Sequence, residues 1–433
     1  MERLHIAFFG PTNSGKSTLV NALAGQQVSL VSPIPGTTTD PVRKVAELPG
    51  LGPCVLIDTA GLGDRSALGA ERERMTRAIL DETDIAVFLD SPEVSPMSPE
   101  QGHWTQKPGE NAANVPDFGT LAAQAGIPVV RYRRGESVAS LLERLVAAAP
   151  QEEERFLTGD LVGTGSQVVL VMPQDSEAPK GRLILPQVQV LRELLDRGCV
   201  PHCCTPDSLP AALAGLCRTP DLVITDSQVF PLVERTIPKD CPLTSFSVLL
   251  AGAKGDIGVF VEGARAIDAL RPGSRVLIAE ACTHVPDTED IGRVKIPALL
   301  RRRVEMAGQA GHDKGTATVT PGHDTTVIPG HDTTVTPGHD TTVTPGHDTT
   351  VTPGLTGSLQ IDIAAGNDFP EDLSPYSLII HCGACVANAR LVRSRIKKAL
   401  RAGVPITNYG IALAALNGIL PRISLPTNQC SRG

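Results

Sequence analysis

A phosphate-binding loop near the start of the chain constrains its fold more than any other feature. The loop spans Gly10–Ser17 (GPTNSGKS) and lies between an apolar run, Leu4–Phe9, and a helical pattern, Lys16–Leu23. In such a strand–loop–helix unit, backbone amides at the helix N-terminus surround phosphate oxygens, the lysine reaches the β- and γ-phosphates and the serine binds Mg²⁺. The sequence therefore predicts an α/β domain that binds a nucleoside triphosphate.

Two further segments fall where a GTPase needs its switch residues. Residues 35–40 (PGTTTD) offer Thr38 for magnesium and the γ-phosphate. Residues 58–61 (DTAG) follow an apolar run, so Asp58 would hold magnesium through water and the amide of Gly61 would contact the γ-phosphate. Leu62 stands where a glutamine could orient the attacking water, so we expect slow hydrolysis.

The base-reading element departs from the GTPase pattern. Its best candidates are Asn114 and Asp117, but Val115 stands where a lysine is typical, so the sequence leaves the base preference open. The predicted catalytic residues are Lys16, Thr38 and Asp58, and the predicted magnesium ligands are Ser17 and Thr38. The predicted nucleotide-binding residues are Gly10, Asn13, Ser14, Gly15, Lys16, Ser17, Thr18, Thr38, Asp58, Gly61, Asn114 and Asp117.

Alternating strand and helix patterns divide the 433 residues into three α/β units. They cover 1–150, with a parallel sheet, then 158–262 and 263–433. The predicted strands are Leu4–Phe9, Val55–Ile57, Ile85–Leu89, Ile127–Val130, Gln167–Met172, Leu222–Thr225, Arg275–Ala279 and Leu378–His381. The predicted helices are Lys16–Leu23, Val138–Ala148, Gln187–Leu195 and Ala387–Arg401. The basic side chains of the last helix could dock an acidic partner, but we predict that they form a solvated face.

A tandem repeat interrupts the third unit. The octamer GHDTTVTP begins at Gly322, Gly330, Gly338 and Gly346, with one substitution at Ile328. One proline, one glycine and one apolar side chain per repeat cannot build a packed core. We therefore predict that 312–354 is a disordered low-complexity insert.

Two cysteine motifs lie on either side of that repeat. Cys282 and His284 form the first (CTH), and His381, Cys382 and Cys385 belong to the second (HCGAC). Three thiolates suit a 4Fe-4S cluster with one iron left for another ligand. Either histidine, or an exogenous group, is a candidate for that fourth position. A structural zinc site with three cysteines and one histidine remains the alternative.

The charge and hydropathy of the chain exclude several classes of function. The net charge is −8, which disfavours a nonspecific surface for nucleic acid or anionic membranes. No stretch approaches the roughly 18 apolar residues of a membrane span, and no export signal precedes the first strand, so we expect a cytoplasmic protein. Its ten cysteines are then thiols or metal ligands rather than disulfides.

The nucleotide motifs resemble those of the TrmE–Era class of small GTPases. In that class an asparagine at the position of Asn13 goes with potassium-assisted hydrolysis, so the resemblance implies K⁺ as a further cofactor. Taken over its whole length, the chain resembles the HydF family of FeFe-hydrogenase maturation GTPases. The segments that carry this second resemblance are 178–188 (APKGRLILPQV), 221–228 (DLVITDSQ), 290–297 (DIGRVKIP), 368–373 (DFPEDL) and 405–410 (PITNYG).

The HydF resemblance implies a GTPase domain, a dimerisation domain at 158–262 and an iron–sulfur cluster domain at 263–433. It also implies a scaffold that binds the two-iron subcluster precursor, receives it from two radical-SAM maturases and delivers it to apo FeFe-hydrogenase, as a homodimer regulated by GTP. The interval between His284 and His381 exceeds that of the family by about the length of 312–354. The competing hypothesis is a TrmE/Era-like GTPase of RNA modification or ribosome assembly with structural zinc.

Overall fold

Three sheets flanked by helices follow one another along the chain in the computed structural model. This arrangement confirms the predicted α/β class. The repeats, the Thr38 segment and the base-reading candidates lie outside the described residues, so the disorder of the insert stays a prediction. The described residues are 3–11, 14–25, 41–59, 69–89, 118–150, 156–174, 183–281, 290–312, 358–366, 368–385 and 387–427.

The first sheet belongs to the N-terminal unit. Its strands are β1 (Leu4–Phe9), β2 (Val42–Leu48), β3 (Gly52–Asp58), β4 (Ile85–Leu89) and β5 (Val129–Tyr132). They lie in the order β2-β3-β1-β4-β5, and every neighbouring pair is parallel except β2 and β3. The helices are α1 (Lys16–Leu23), α2 (Gly69–Glu82), α3 (Phe118–Gln124) and α4 (Val138–Ala148).

Burial explains which of these strands the sequence predicted. β1 and β4 lie in the middle of the sheet as nearly continuous apolar runs, and their predicted bounds are confirmed. β5 begins two residues later than predicted. β2 was missed because its side chains alternate, with Val42 and Val45 exposed on an antiparallel edge strand.

The second sheet lies in the middle unit. Its strands are β6 (Gln167–Val171), β7 (Val200–Cys204), β8 (Leu222–Thr225) and β9 (Leu243–Ser245), all parallel in the order β7-β6-β8-β9. The helices are α5 (Leu185–Asp196), α6 (Leu209–Ala214), α7 (Phe230–Thr236), α8 (Phe246–Lys254), α9 (Ile257–Ala264) and α10 (Ala266–Ala269). A 3₁₀ turn at Ser227–Val229 precedes α7.

The third sheet follows the same parallel plan. Its strands are β10 (Arg275–Ala279), β11 (Gln360–Ala364), β12 (Leu378–His381) and β13 (Ile406–Asn408), in the order β11-β10-β12-β13. The helices are α11 (Ile296–His312), α12 (Ala389–Arg401) and α13 (Tyr409–Leu416), with a π-helical turn at Ile291–Lys295 and a 3₁₀ turn at Leu420–Arg422.

One face of the second sheet shares a hydrophobic core with the third sheet, and its other face has a core of its own. The first sheet has its own core on each face. Phe230 and Val233 of the middle unit lie in the same buried cluster as Ile380 and Ile411 of the third. Gly263, the first residue of the predicted third unit, packs α9 so tightly on β13 that a Cβ there would lie 2.0 Å from the Ile406 carbonyl oxygen. The predicted boundary at 262/263 falls inside α9 and stays a prediction.

Among the described residues, no helix is both long enough and apolar enough to cross a bilayer.

Candidate functional site

The Lys16 side chain is folded back onto its own loop. Its ammonium donates to the carbonyl oxygens of Gly10, at 3.0 Å, and Pro11, at 2.8 Å. Only 7% of the residue is exposed, and this burial lowers the pKa of Lys16, while the nearby Asp58 carboxylate opposes the shift. The cation is therefore held at the mouth of the loop, where phosphate oxygens could replace the carbonyls as its partners.

Two glycines give the loop its shape for different reasons. Gly10 has φ +150°, and a Cβ there would lie 2.7 Å from the Leu89 carbonyl oxygen, so the loop needs a residue without a side chain. Gly15 has φ +94° at the N-cap of α1 and makes no side-chain cap. The first turn of α1 thus offers its N–H groups to an anion.

Asp58 lies at the carboxyl end of β3, opposite Phe8 of β1 in the sheet register. Burial raises the pKa of its carboxyl, while a hydrogen bond from the Ser17 hydroxyl and the charges of Lys16 and Lys44 act against that shift. Within the described part of the chain, Asp58 Oδ1 and Ser14 Oγ are buried without a hydrogen-bond partner. These orphaned oxygens, beside Ser17 and Lys16, fit a site that receives a magnesium-bound triphosphate.

Several predicted site residues cannot be compared with the structure. The described members of the predicted nucleotide site lie on the loop, on α1 or at the end of β3, and their roles as ligands stay predictions; they are Gly10, Ser14, Gly15, Lys16, Ser17, Thr18 and Asp58. Asn13, Thr38, Gly61, Asn114, Asp117, Cys282 and His284 lie outside the described residues, and their roles stay predictions.

The cysteine turn, residues 381–387, follows the carboxyl end of β12. The sulfur of Cys382 accepts two backbone N–H groups, from Ala281 at 3.1 Å and Ala384 at 3.4 Å. Cys385 is exposed. Amide donors aimed at a sulfur stabilise a thiolate, and Ala281 immediately precedes Cys282 in the chain. The described residues hold no group of three ligands by themselves, but the donor chemistry fits an iron–sulfur site once Cys282 joins it.

His381 is buried with both ring nitrogens engaged. Its Nδ1 lies 2.8 Å from the Cys382 carbonyl oxygen, and its Nε2 lies 3.2 Å from an Nη of Arg395. Burial, together with the charge of Arg395, lowers the pKa of His381 to about 3, although the bond to Cys382 opposes the shift. The ring is therefore neutral, donating at Nδ1 and accepting at Nε2. Its predicted role as an iron ligand stays a prediction, and in this geometry its lone pair is already used.

Sequence reasoning missed three charged residues that surround the turn. Lys254, at the end of α8, donates to carbonyl oxygens of the turn. Glu280, at the end of β10, is 1% exposed and accepts from Arg293 at 3.0 Å. Arg395 of the following helix contacts His381 and also donates to the Glu280 carbonyl oxygen. The basic character of 387–401 was a signal for Arg395, but no local pattern identifies Lys254.

The helix after the turn contacts the GTPase unit directly. Asn388 donates to the Glu82 carbonyl oxygen at 2.8 Å and to Asp84 at 3.1 Å, while Ser394 and Lys398 both reach Asp81. Arg390 donates to the Ala125 carbonyl oxygen. The prediction of a solvated face is therefore wrong for Arg390, Arg395 and Lys398, because this helix packs between two units.

Three family models match successive parts of this chain. Residues 157–255 match the model described as Hydrogen maturase F dimerization domain, and residues 258–324 and 349–426 match the Hydrogen maturase F tetramerization domain. Together these two models span more than half of the chain. Residues 5–113 match a model described as 50S ribosome-binding GTPase. The N-terminal unit is thus a GTPase domain, which supports GTP and Mg²⁺ as its ligands. Both maturase models describe oligomerisation, and the sequence had not predicted a tetramerisation domain.

Individual relatives match the N-terminal part. The tRNA modification GTPase MnmE of Methylobacterium sp. (strain 4-46) is 38% identical over 177 residues, which cover 39% of this chain and 36% of that protein. MnmE of Acidiphilium cryptum is 38% identical over 157 residues, covering 36% and 35%. The chain thus spans about a third of the length of these relatives. Era from Aquifex aeolicus bound to GDP·AlF₄⁻ is 17% identical, with 49% of this chain and 98% of that one covered and a TM-score of 0.23.

Proposed function

This chain belongs to the hydrogen maturase F (HydF) family of hydrogenase maturation GTPases, and we propose that it is a scaffold and carrier for a metal cargo. The cargo is the two-iron subcluster precursor, received from two radical-SAM maturases and delivered by a homodimer to apo FeFe-hydrogenase. Two maturase domains beside a thiol site support this proposal. The single observation that carries the metal site is the pair of backbone N–H groups on Cys382 Sγ.

We propose that Cys282, Cys382 and Cys385 hold a 4Fe-4S cluster. Such a cluster supplies an iron with a free coordination position. The exposed thiol of Cys385 keeps one side of the turn open, which suits a site that must accept and release a bulky cargo. His284 or an exogenous group fills the fourth position more readily than His381, whose Nε2 already accepts from Arg395.

The nucleotide site would act as a switch. Lys16 would exchange its two carbonyl partners for phosphate oxygens, Ser17 and Thr38 would hold Mg²⁺, and Asp58 would hold it through water. Asn13 would serve K⁺, and Asn114 and Asp117 would read the base. Hydrolysis is slow because Leu62 cannot orient water. A slow switch of this kind regulates partner binding rather than driving the metal chemistry.

The interface between α2 and α12 offers a route from the switch to the turn. α2 follows the segment that begins at Gly61, and its last residues, Asp81 and Glu82, bind α12. α12 in turn begins three residues after Cys385 at its cap, Asn388. A nucleotide-dependent shift of α2 would therefore reach the cysteine turn through one layer of contacts.

The first test is anaerobic reconstitution with iron and sulfide, followed by metal analysis and EPR of the reduced protein. We expect about four irons per chain and a cubane signal. Cys382→Ala should abolish stable loading, because two remaining thiolates rarely hold a cubane. Cys217→Ala is the matched control, since Cys217 is an exposed thiol of the middle unit.

Full iron retention in Cys382→Ala would refute the assigned ligand set. One zinc and no iron in the wild type would instead favour the competing function, a GTPase of RNA modification with structural zinc. The MnmE similarity supports that alternative only for the N-terminal part, since the remaining residues match maturase domains.

A further inference from the structure

Lys254 connects the middle unit to the cysteine turn. It is the last residue of α8 and only 4% of it is exposed. Its ammonium donates to the carbonyl oxygens of Ala384 at 2.9 Å, Ala387 at 2.8 Å and Cys385 at 3.4 Å. Three carbonyl oxygens of one short turn thus bind the ammonium group of Lys254, which lies 130 residues before Ala384 in the sequence.

The turn has a conformation that requires such support. Ala384 has φ +52°, the one left-handed residue other than glycine among the described residues. For a residue with a Cβ this conformation is strained, because the Cβ approaches the following carbonyl oxygen. Ala384 also joins the two halves of the site, because its N–H donates to Cys382 Sγ while its carbonyl accepts from Lys254.

The positive charge of Lys254 favours metal binding by the turn, in addition to the hydrogen bonds that order it. A cluster held by three thiolates is anionic, and a nearby cation in a low-dielectric setting stabilises thiolates and the reduced cluster. Neutral carbonyls bind the ammonium without cancelling its charge. Lys254 thereby both orders the turn and favours anionic sulfur beside it.

We propose that Lys254 is the positioning residue of the cysteine turn, holding the Ala384 peptide so that its N–H faces Cys382 Sγ and fixing the spacing of the two thiols. This inference rests on the proposed cluster site. It assigns to the middle unit a part in metal binding, in addition to the oligomerisation that its family model describes.

The test compares Lys254→Met and Lys254→Arg with the wild-type full chain. In the metal-free protein, hydrogen exchange of a peptide covering 382–388 should accelerate about tenfold in both variants, while β12 stays protected, because the turn loses hydrogen bonds from a charged group. After reconstitution, iron loss to a chelator should also be about tenfold faster. The midpoint potential of Lys254→Met should become more negative, and Lys254→Arg, which keeps the charge, should restore it in part.

Lys295→Met is the matched control. Lys295 also crosses from the third unit to the middle unit, where it donates to Gln228 at 2.6 Å. Equal effects of Lys295→Met and Lys254→Met would indicate general loosening of the interface and overturn the assignment. If Lys254→Met does not fold, Lys254→Arg decides, and wild-type exchange and iron retention in that variant would also overturn it.

The two proposals fail in different ways. If the wild-type protein takes up no iron, the cluster proposal is refuted. The hydrogen-exchange experiment on the metal-free protein still tests whether Lys254 orders the turn. A wild-type protein that loads iron, with unchanged exchange and iron retention in the Lys254 variants, overturns only the role of Lys254.

Discussion

The phosphate loop and the cysteine turn occupy equivalent positions in their sheets, but the lysine that holds each of them comes from a different part of the chain. Each follows the carboxyl end of a central parallel strand, β1 or β12, and each precedes a helix. Each also has a buried lysine on its backbone carbonyls. In the phosphate loop this lysine is Lys16, a member of the motif itself, whereas in the cysteine turn it is Lys254 of another unit.

The helices that follow the two loops differ in the same way. α1 begins without a side-chain cap, so its first amides are left for a ligand. α12 begins with Asn388, which accepts from Leu391 N–H at 3.1 Å and at the same time donates to Glu82. The phosphate loop is therefore held by contacts within its own segment, while the cysteine turn depends on contacts with two other units.

Lys16→Ala should give the largest difference between the two loops. Loss of a charged group that stabilises the transferring phosphate should lower GTP hydrolysis at least about a hundredfold, as for other transition-state donors. Iron loading should not change, because the partners of Lys16 in the described part of the chain are its own loop and Asp58, far along the sequence from the cysteine turn. Phosphate release and iron analysis measure the two effects, with the exposed Lys239→Ala as control. A parallel loss of iron would contradict the independence of the two loops.

Gly10→Ala should have an intermediate effect, on stability. The new Cβ would meet the Leu89 backbone at 2.7 Å inside the sheet, at a cost of about 2–4 kcal/mol in the free energy of unfolding. Gly383→Ala is the matched variant in the other loop. Among the described residues its Cβ would come no closer than 3.7 Å to another atom, so we expect less than about 1 kcal/mol. Urea unfolding of both variants measures this, and equal costs would show that the turn is as tightly packed as the phosphate loop.

Lys398→Met should have the smallest effect and tests the link between the two regions. The pair it forms with Asp81 is partly exposed, and such pairs contribute about 0.2–1 kcal/mol. A double-mutant cycle with Asp81→Asn in thermal unfolding should give a coupling of that size, which 0.5 M salt should reduce. Strictly additive effects would indicate that α2 and α12 touch without interacting energetically.

The sequence predicted an element correctly where a local pattern, such as a buried face or a short motif, determines the structure. The bounds of β1, β4, α1 and α4 were predicted because buried parallel strands and amphipathic helices leave strong periodic signals. Lys16, Ser17 and Asp58 meet as expected, because the phosphate loop and the end of β3 are neighbours in any sheet of this order.

Long-range contacts were beyond the reach of the sequence. In α12, Arg395 lies over the ring of Phe369 and bonds His381, while Lys398 binds Asp81, yet both look like solvent-facing charges in the sequence. Lys254 carries no local signature, since its partners come 130 residues later. Cys282 and Thr38 lie outside the described residues, so those parts of the site remain predictions.

The hydrophobic core that the second and third sheets share has a consequence for synthesis on the ribosome. The GTPase unit, with its own core, can fold as soon as it emerges. The middle unit has a core of its own on one face of its sheet, but Phe230 and Val233 on the other face belong to a core that includes residues as late as Ile411. A nascent chain therefore carries an uncovered apolar face until almost its last helix is made.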